Sequence, residues 1–373
     1  MSVVATRVWR MDPHRPDSEA LREAARLLAS GGLVAFPTET VYGLGADALN
    51  PRAVERIFAA KGRPSDNPLI VHVATAEEAF ALAREVPPAA RRLAASFWPG
   101  PLTLVLPKAP AVPDEVTAGL DTFAVRVPDH PVARALLATF GGAVAAPSAN
   151  TSGRPSPTSA KHVLQDLDGR IDGVIDAGET GFGVESTVVD VTQEPPVILR
   201  PGGVTSEAIA QVTGAVAGRG FSGEEAGTPR SPGQKYRHYA PDVPAFLLQG
   251  SAQEVARAAE RLHSLHAAQG AAAGFLLSRE AASLLGPDPG MLVVELGGKS
   301  RPEEAARRFY AGLRRLEQEG AAAVYVEAFD VGGMGVALRD RMLRAAGGRV
   351  IEAGRWLAEG AALPGPGEKE RAQ

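Results

Sequence analysis

The segment Leu33-Val34-Ala35-Phe36-Pro37-Thr38-Glu39-Thr40-Val41-Tyr42-Gly43 joins an apolar run directly to a polar stretch. Residues 18–30 before it have the apolar spacing of a helix, and Gly31-Gly32 is typical of a helix end. The four apolar residues 33–36 then predict a buried strand. The polar residues that follow predict a loop that binds a polar ligand, with a turn that satisfies its own backbone as the alternative.

Apolar runs of strand length recur through the first half of the chain. Helices are predicted after Asn50, which with Pro51 has the pattern of an N-cap, as far as Lys61, and after the N-cap candidate Thr75. Several neighbouring strands have no helix between them, which favours a twisted mixed sheet over a purely parallel one. The predicted strands are residues 69–73, 102–106, 123–127, 142–146, 187–191 and 197–200.

The second half of the chain alternates strands and helices more regularly. Ser251 with Glu254, and Ser300 with Glu303, have the spacing of capping boxes, so each pair predicts a helix N-terminus. This pattern predicts a smaller parallel α/β domain of the Rossmann type. Its predicted strands are residues 245–248, 274–277, 291–295 and 322–326.

The length of 373 residues favours two domains. Because Gly, Ser and Pro become frequent after Val212, we predict a linker between them. The linker contains Lys235-Tyr236-Arg237-His238-Tyr239, and since a passive spacer does not need these cations and aromatics, we predict a lid over the active site. The predicted regions are a first domain at 1–212, the linker at 213–243, a second domain at 244–355 and a disordered tail at 356–373.

The composition excludes several classes of protein. The chain has no cysteine, which excludes disulfides, thiolate metal sites and a cysteine nucleophile. The formal net charge of −4 disfavours a protein that coats nucleic acid or anionic lipid. Arg7 and Arg10 lie where a signal peptide needs apolar residues, and no run approaches the roughly 20 apolar residues of a membrane span. A cytoplasmic protein without membrane contact is expected.

The segment Lys61-Gly62-Arg63 places two cations around a glycine at a predicted helix end. A lysine provides a point charge and an arginine a planar set of donors, a combination that suits phosphate oxygens. The glycine would let a phosphate approach the backbone. Cations also stabilise the C-terminus of a helix, so the spacing alone leaves both interpretations equally open.

Other polar residues adjoin predicted strands. Ser148 and Asn150 follow one strand, Ser186 precedes another, and Arg200 ends a third. Arg126 lies inside an apolar run, where an arginine is rarely buried without an anionic partner, so a substrate carboxylate or a structural ion pair is expected beside it. Together these cations and donors favour an anionic nucleotide site over separate structural roles.

Two segments have a weaker signal. His72 lies in an apolar run, where by itself a histidine is more often a satisfied core residue than a functional one. The sequence Gly-Leu-Gly-Ala-Asp-Ala at residues 43–48 resembles a dinucleotide fingerprint. A single match of this kind is unspecific, so a turn that needs glycine is the expectation there.

Five motifs occur in a fixed order along the chain: PTETVYGLG (37–45), AKGRPSDNPLIVH (60–72), APSANTSG (146–153), ESTVVD (185–190) and LRPG (199–202). Together they resemble the YrdC-like threonylcarbamoyl-AMP synthases, and SPGQKYRHYAP (231–241) is similar to the linker of their long, two-domain form. Gln234 departs from the methionine that is usual at its position. The resemblance covers most of the chain apart from the tail, and implies a YrdC-like twisted mixed sheet followed by a smaller Rossmann-like domain.

The resemblance implies a reaction in which L-threonine, bicarbonate and ATP give threonylcarbamoyl-AMP and pyrophosphate. The product serves threonylcarbamoyl modification of the adenosine beside the tRNA anticodon, through separate transfer proteins. Mg²⁺ is expected with ATP, no protein ligand is predicted for it, and contact with tRNA is allowed but not required. The implied threonine site is Thr40, His72, Arg126, the Ala146 backbone and Ser186. The implied ATP site is Lys61, Arg63, Asn67, Thr122, Ser148, Asn150, Ser156, Arg200 and the linker Tyr236, with Lys61 and Arg63 in the catalytic role.

Three other functions fit parts of this pattern. A YrdC-like fold can be an RNA-binding module without adenylate synthesis, although the net charge of −4 disfavours it. A carbamoyltransferase of the hydrogenase-maturation type contains a related domain, but uses cysteine zinc motifs that this chain lacks. The third is a regulatory ATP-binding protein whose second domain senses a ligand.

Overall fold

The computed structural model describes residues 5–218, 239–288, 290–329, 332–360 and 363. The described residues divide into two compact units. The first contains residues up to 218 except 153–155, and the second contains 153–155 and the residues from 239 onward. Most of the predicted linker, including Tyr236, lies outside the described residues.

The first unit is built on a mixed sheet. Its strands are β1 (Arg7–Arg10), β2 (Val34–Phe36), β3 (Gly43–Asp47), β4 (Ile70–His72), β5 (Leu102–Pro107), β6 (Thr122–Arg126), β7 (Val144–Ala145), β8 (Gly173–Asp176), β9 (Thr187–Asp190), β10 (Val197–Arg200) and β11 (Ala217–Gly218). The order across the sheet is β1-β8-β2-β3-β7-β4-β6-β5-β9-β10-β11. β4 and β6 are parallel, whereas β3 and β7 are antiparallel to their neighbours. The predicted mixed sheet is confirmed.

Two helices of the first unit begin at the caps that the sequence predicts, Asn50 and Thr75. Asn50 accepts a hydrogen bond from the Ala53 N–H at 3.4 Å, Pro51 takes the first helical position, and the left-handed Gly62 (φ 61°) ends the helix. Local sequence therefore places Lys61 at the last residue of a helix. The helices are α1 (Ser18–Ala29), α2 (Pro51–Lys61), α3 (Ala76–Ala81), α4 (Pro88–Phe97), α5 (Asp114–Thr117), α6 (Pro131–Phe140), α7 (Ala160–Leu167) and α8 (Ser206–Thr213).

The second unit is built on a parallel sheet. Its strands are β12 (Ala245–Gln249), β13 (Ala272–Ser278), β14 (Leu292–Gly297), β15 (Ala321–Glu327) and β16 (Val350–Glu352). Its helices are α9 (Ala252–Ala267), α10 (Arg279–Ala282), α11 (Pro302–Gln318), α12 (Met334–Ala345) and α13 (Ala353–Ala358). The order across the sheet is β14-β13-β15-β12-β16, and every pairing is parallel. The smaller parallel α/β architecture is confirmed.

The glycine-rich segment after residue 42 is a strand, so the predicted turn is wrong. This strand, β3, pairs with β2 on one side and with β7 on the other, antiparallel to both. A Cβ atom at Gly45 would lie 2.9 Å from Phe36 Cε1 and 2.9 Å from Val144 Cγ1. Glycine is needed there because side chains of the neighbouring strands fill the space that a side chain would occupy, not because the backbone turns.

The start of α11 differs from the predicted capping box of Ser300 and Glu303. Its N-cap is Arg301, which makes no capping side-chain hydrogen bond, and Pro302 occupies the first helical position. Proline has the backbone angle of that position and lacks the N–H that would be left unbonded there, so Pro302 sets the start of the helix. The other predicted box, Ser251 with Glu254, forms with both of its hydrogen bonds.

Two predicted boundaries also shift. β11 pairs in parallel with β10, so the first sheet reaches Gly218, beyond the domain boundary predicted at residue 212. α13 continues to Ala358, and Trp356 and Leu357 pack against buried residues of the second unit. The predicted tail therefore begins too early, and its residues 361–362 and 364–373 lie outside the described part of the chain. None of the helices among the described residues has the length and apolar character needed to cross a membrane.

Candidate functional site

A buried polar loop follows β2. Thr38, Glu39 and Thr40 are all buried, and Thr38 Oγ1 accepts a hydrogen bond from the Thr40 N–H at 3.2 Å. The carbonyl oxygens of Glu39 and Thr40 accept hydrogen bonds from the N–H groups of Phe182 at 2.8 Å and Gly183 at 3.1 Å. The loop thus has its own turn and is tied to a second segment, which holds its side chains in fixed positions.

Arg126 ends β6 and is only 3% exposed. Its Nη1 donates to Thr40 Oγ1 at 3.0 Å, and its Nε donates to the Gly100 carbonyl at 3.1 Å. Its Nη2 lies 2.5 Å from Glu39 Oε1, at ion-pair distance but without the angles of a hydrogen bond. Two of the three guanidinium nitrogens are therefore held in place, and the third keeps hydrogen-bonding capacity beside a carboxylate.

His72 ends β4 and is the neighbour of Arg126 in the parallel pairing of β4 with β6. Its Nδ1 lies 3.1 Å from the Ile70 carbonyl, and since a carbonyl can only accept, Nδ1 carries the proton and Nε2 is an acceptor. Burial, reinforced by the charge of Arg126, lowers the pKa of His72 to about 3. His72 is therefore neutral near neutral pH and can offer a hydrogen bond but no charge.

Ser186 and Arg200 meet because β9 and β10 are antiparallel, with one residue just before β9 and the other at the end of β10. Arg200 donates through Nε to the Ser186 carbonyl at 3.1 Å and through Nη2 to Ser186 Oγ at 3.2 Å. Ser186 Oγ also lies 2.8 Å from Thr103 Oγ1. A Cβ atom at Gly202 would lie 2.2 Å from the Thr187 backbone nitrogen, so only glycine allows the chain to pass this close to Ser186.

Lys61 is a buried cation, 1% exposed. Its Nζ donates to the carbonyl oxygens of Ser148 and Asn150, and no carboxylate of the described residues lies at ion-pair distance from it. Burial lowers the pKa of Lys61 well below its usual range, and the nearby charge of Arg63 acts in the same direction. A cation with only neutral partners gains most from an anion brought in from outside.

Arg63 fixes the loop that follows α2. Its Nη2 donates to the Asn67 carbonyl at 3.2 Å and to the Pro68 carbonyl at 3.0 Å. The Asn67 side chain is buried, and its Oδ1 has no hydrogen-bond partner among the described residues. The loop is thus a packed structure, and a fully solvated helix end is excluded by these bonds.

Ser156 and Ala146 have defined partners as well. Ser156 Oγ donates to Glu185 Oε1 at 2.5 Å, and both residues are buried. The Ala146 N–H donates to the Ile70 carbonyl at 2.9 Å. The N–H of Ala146 is therefore already bonded between neighbouring strands.

Two residues of the predicted ATP site are not among the contacts described above. Thr122 begins β6 whereas Arg126 ends it, and at about 3.3 Å per residue the two lie roughly 13 Å apart along the strand. Tyr236 lies outside the described residues.

Sequence reasoning missed the role of one residue of the motif that it relied on. Glu39, between the two threonines of PTET, is the carboxylate beside Arg126. The available signal was the need of a buried arginine for an anionic partner, but the two residues are 87 positions apart, and only the folded chain pairs them.

Two family models match this chain. The model described as telomere recombination covers residues 26–202, and the model described as the C-terminal domain of threonylcarbamoyl-AMP synthase covers residues 204–347. The threonylcarbamoyl-AMP synthase of Pyrococcus abyssi (strain GE5 / Orsay) is 46% identical over 333 residues, which are 89% of this chain and 95% of that protein. The Bacillus subtilis (strain 168) enzyme of the same name is also 46% identical over 333 residues, 89% of this chain and 94% of that protein.

The similarity extends to three dimensions. A crystal structure of P. abyssi Sua5 complexed with L-threonine matches with a TM-score of 0.86 and 44% identity, over 94% of this chain and 99% of that one. Sequence and structure agree over nearly the whole length of these relatives, including both units. The chain therefore belongs to the threonylcarbamoyl-AMP synthase family of ATP-dependent nucleotidyltransferases.

Proposed function

We propose that this chain converts L-threonine, bicarbonate and ATP to L-threonylcarbamoyl-AMP and pyrophosphate, with the residues described above as its active site. The observation that carries the site assignment is Arg126, a buried arginine beside Thr40 and the neutral His72, whose Nη2 has no hydrogen-bond partner in the part of the chain that the structure describes. These side chains fit a small amino acid that carries both a carboxylate and a hydroxyl group.

The substrate carboxylate binds Arg126 in this proposal, because an arginine with a free donor is the strongest partner for it. Thr40 and the Nε2 acceptor of His72 hydrogen-bond the threonine hydroxyl, with Ser186 and the Ala146 carbonyl completing the site. A site with buried groups that need a hydroxyl strongly rejects analogues that lack one. Discrimination against L-serine, which lacks only a methyl group, is expected to be roughly 10–100-fold.

ATP binds through the cations and donors of neighbouring segments. Lys61 and Arg63 take the phosphates, which gives the buried Lys61 the anion that it lacks. The unbonded Oδ1 of Asn67 is an acceptor and suits an amino or hydroxyl group of the nucleoside instead of a phosphate. The remaining residues proposed for ATP are Thr122, Ser148, Asn150, Ser156, Arg200 and Tyr236.

The reaction needs alignment and charge stabilisation more than a protein nucleophile. The amine of threonine first forms a carbamate with bicarbonate, with loss of water. A carbamate oxygen then attacks the α-phosphorus, and the bond from that phosphorus to pyrophosphate breaks. Lys61 and Arg63 stabilise the charge that develops on the phosphate oxygens, and the fixed bonds of Arg63 and Arg126 keep both substrates in place.

Mg²⁺ is proposed to enter as the complex with ATP. Among the described residues, no group of three or more His, Asp or Glu side chains could hold a metal ion. The side chains proposed for the phosphates are cationic, which suits phosphate oxygens and disfavours direct metal contact. ATP would therefore provide the metal's ligands.

The product is a mixed anhydride, activated for transfer. We propose that separate transfer proteins use it in the cytoplasm for threonylcarbamoyl modification of the adenosine beside the tRNA anticodon. This enzyme itself need not hold tRNA, because the activated group leaves on a small molecule.

The test is mass spectrometry of the product formed from ATP, bicarbonate and L-threonine, with L-serine in parallel. A threonine-dependent adenylate, with pyrophosphate in equal amount, is expected. ATP binding without adenylate, together with a salt-dependent tRNA affinity, would instead identify an RNA-binding module. Arg63→Ala should remove pyrophosphate release while circular dichroism stays that of the wild type.

A further inference from the structure

We propose that Glu39 binds the α-ammonium group of the amino-acid substrate, and takes up this role when the substrate carboxylate binds Arg126. The inference rests on the proposed carboxylate site at Arg126 and adds the second half of amino-acid recognition. None of the residues proposed so far for threonine provides an anion for its positive charge.

The position of Glu39 supports this role. Its side chain is 10% exposed, and its Oε1 lies 2.5 Å from Arg126 Nη2. It lies next in sequence to Thr40, whose Oγ1 accepts a hydrogen bond from Arg126 Nη1 at 3.0 Å. A group that binds near Arg126 Nη2 must therefore come within a few ångströms of the Glu39 carboxylate.

The hydrogen bonding of this pair is incomplete. Within the described part of the chain, neither carboxylate oxygen of Glu39 nor Nη2 of Arg126 has a hydrogen-bond partner, although all three atoms are buried. Buried ions are normally hydrogen-bonded, because losing water without replacement is costly. A zwitterionic amino acid provides both missing partners, a carboxylate for Nη2 and an ammonium group for the Glu39 oxygens.

Charge balance leads to the same assignment. A substrate carboxylate at Arg126 would be repelled by the adjacent Glu39 unless a positive charge lay between them. The ammonium group of the same substrate provides that charge. Two other buried carboxylates of this unit are already engaged: Glu185 accepts from Ser156 Oγ, and Asp190 accepts from Thr192 and Gln193.

The alternative is that Glu39 only orients Arg126. The two roles differ for a ligand without an amine. We would measure by calorimetry the affinities of wild type and Glu39→Gln for L-threonine and for 3-hydroxybutanoate, which keeps the carboxylate and the hydroxyl. An ammonium contact predicts that Glu39→Gln weakens the binding of L-threonine about 10–100-fold. The same substitution should leave the binding of 3-hydroxybutanoate unweakened or tighten it, because the carboxylate of this ligand is then no longer repelled by Glu39. Equal weakening of both ligands would overturn the proposal.

Controls separate this inference from the function on which it rests. Asp190→Asn removes another buried carboxylate and should leave both affinities unchanged. Arg126→Gln combined with Glu39→Gln replaces the ion pair by two neutral amides, and should abolish the binding of both ligands while the chain stays folded. If that double variant still binds 3-hydroxybutanoate like the wild type, the carboxylate assignment of Arg126 is wrong. If only the Glu39→Gln result fails, the function stands and the ammonium contact does not.

Discussion

Lys61 in the first unit and Lys299 in the second place their ammonium groups in opposite environments. Lys61 is buried, and its Nζ donates to the carbonyl oxygens of Ser148 and Asn150. Lys299 is one-third exposed, and its Nζ lies 2.7 Å from the fully buried carboxylate of Glu327. The first lysine has no anion among the described residues, whereas the second is neutralised within its own unit.

The surroundings of Glu327 show what a completed polar cluster looks like. Glu327 ends β15, and its second oxygen accepts a hydrogen bond from the Ser278 N–H at 2.6 Å. Lys299 also donates to the Ala328 carbonyl and lies over the Phe329 ring, 5.0 Å from its centre. Every group here has a partner from the chain itself, which is typical of a structural ion pair. A buried charge that serves a ligand site is therefore recognised by the partners that its own chain does not provide.

The largest expected effect is that of Lys61→Met, which removes the charge and keeps the length of the side chain. Threonine-dependent pyrophosphate release should fall about 10²–10³-fold, because a cation that stabilises the transition state is lost. The melting temperature should stay the same or rise, since an apolar group replaces a buried cation of lowered pKa. Pyrophosphate assays and thermal unfolding check both. A folded variant with wild-type activity would exclude Lys61 from the phosphate site.

Lys299→Met should instead lower the stability of the second unit and leave the activity almost unchanged. Glu327 loses its cation and stays buried, so the second unit should lose about 2–3 kcal/mol, somewhat less than for a fully buried pair because Lys299 is partly exposed. Hydrogen exchange of peptides from β13 and β15 measures this loss. Pyrophosphate release well below the melting temperature should stay within about 2-fold of the wild type. Lys299→Met combined with Glu327→Gln should restore most of the stability, and no recovery would argue against the ion pair as the cause.

The smallest expected effect concerns His72 and pH. Its pKa of about 3 in the folded protein lies below the usual value near 6.5, so the unfolded chain binds the extra proton first as the pH falls. The contribution of neutral His72 to the free energy of unfolding is fully present above about pH 6.5. It is lost as the pH falls toward 3, by up to about 1.4 kcal/mol per pH unit. Urea unfolding at about pH 7, 6 and 5 should therefore show a weaker pH dependence in His72→Gln than in the wild type. Equal slopes would mean that His72 titrates normally.

Much of the fold could be predicted because local patterns decide it. Asn50, Pro51 and Gly62 delimit α2 through capping chemistry that involves only neighbouring residues. The prediction failed where distant residues decide. Gly45 lies in a strand paired between β2 and β7, where Phe36 and Val144 fill the space that a side chain would need, and no local pattern shows that.

For the candidate site as well, local patterns predicted one part and distant residues decided the other. The motifs around Thr40, Lys61 and Arg126 predicted which residues form the site, since buried cations and hydroxyls need polar partners. The hydrogen-bond partners of these residues could not be predicted from the sequence, because they are distant along the chain. Lys61 bonds to carbonyls 87 and 89 residues away, and Arg126 bonds to a hydroxyl 86 residues away.

The sequence by itself determined the chemical groups of this protein, several of its helix ends, most of its strands and its family. Only the tertiary structure decided which charges are neutralised internally and which are not. The reason is physical: a side chain's chemistry is local, but its burial and its partners depend on the order of strands in a sheet. That order places Glu39 beside Arg126 and Glu327 beside Lys299, and leaves Lys61 with neutral partners alone among the described residues.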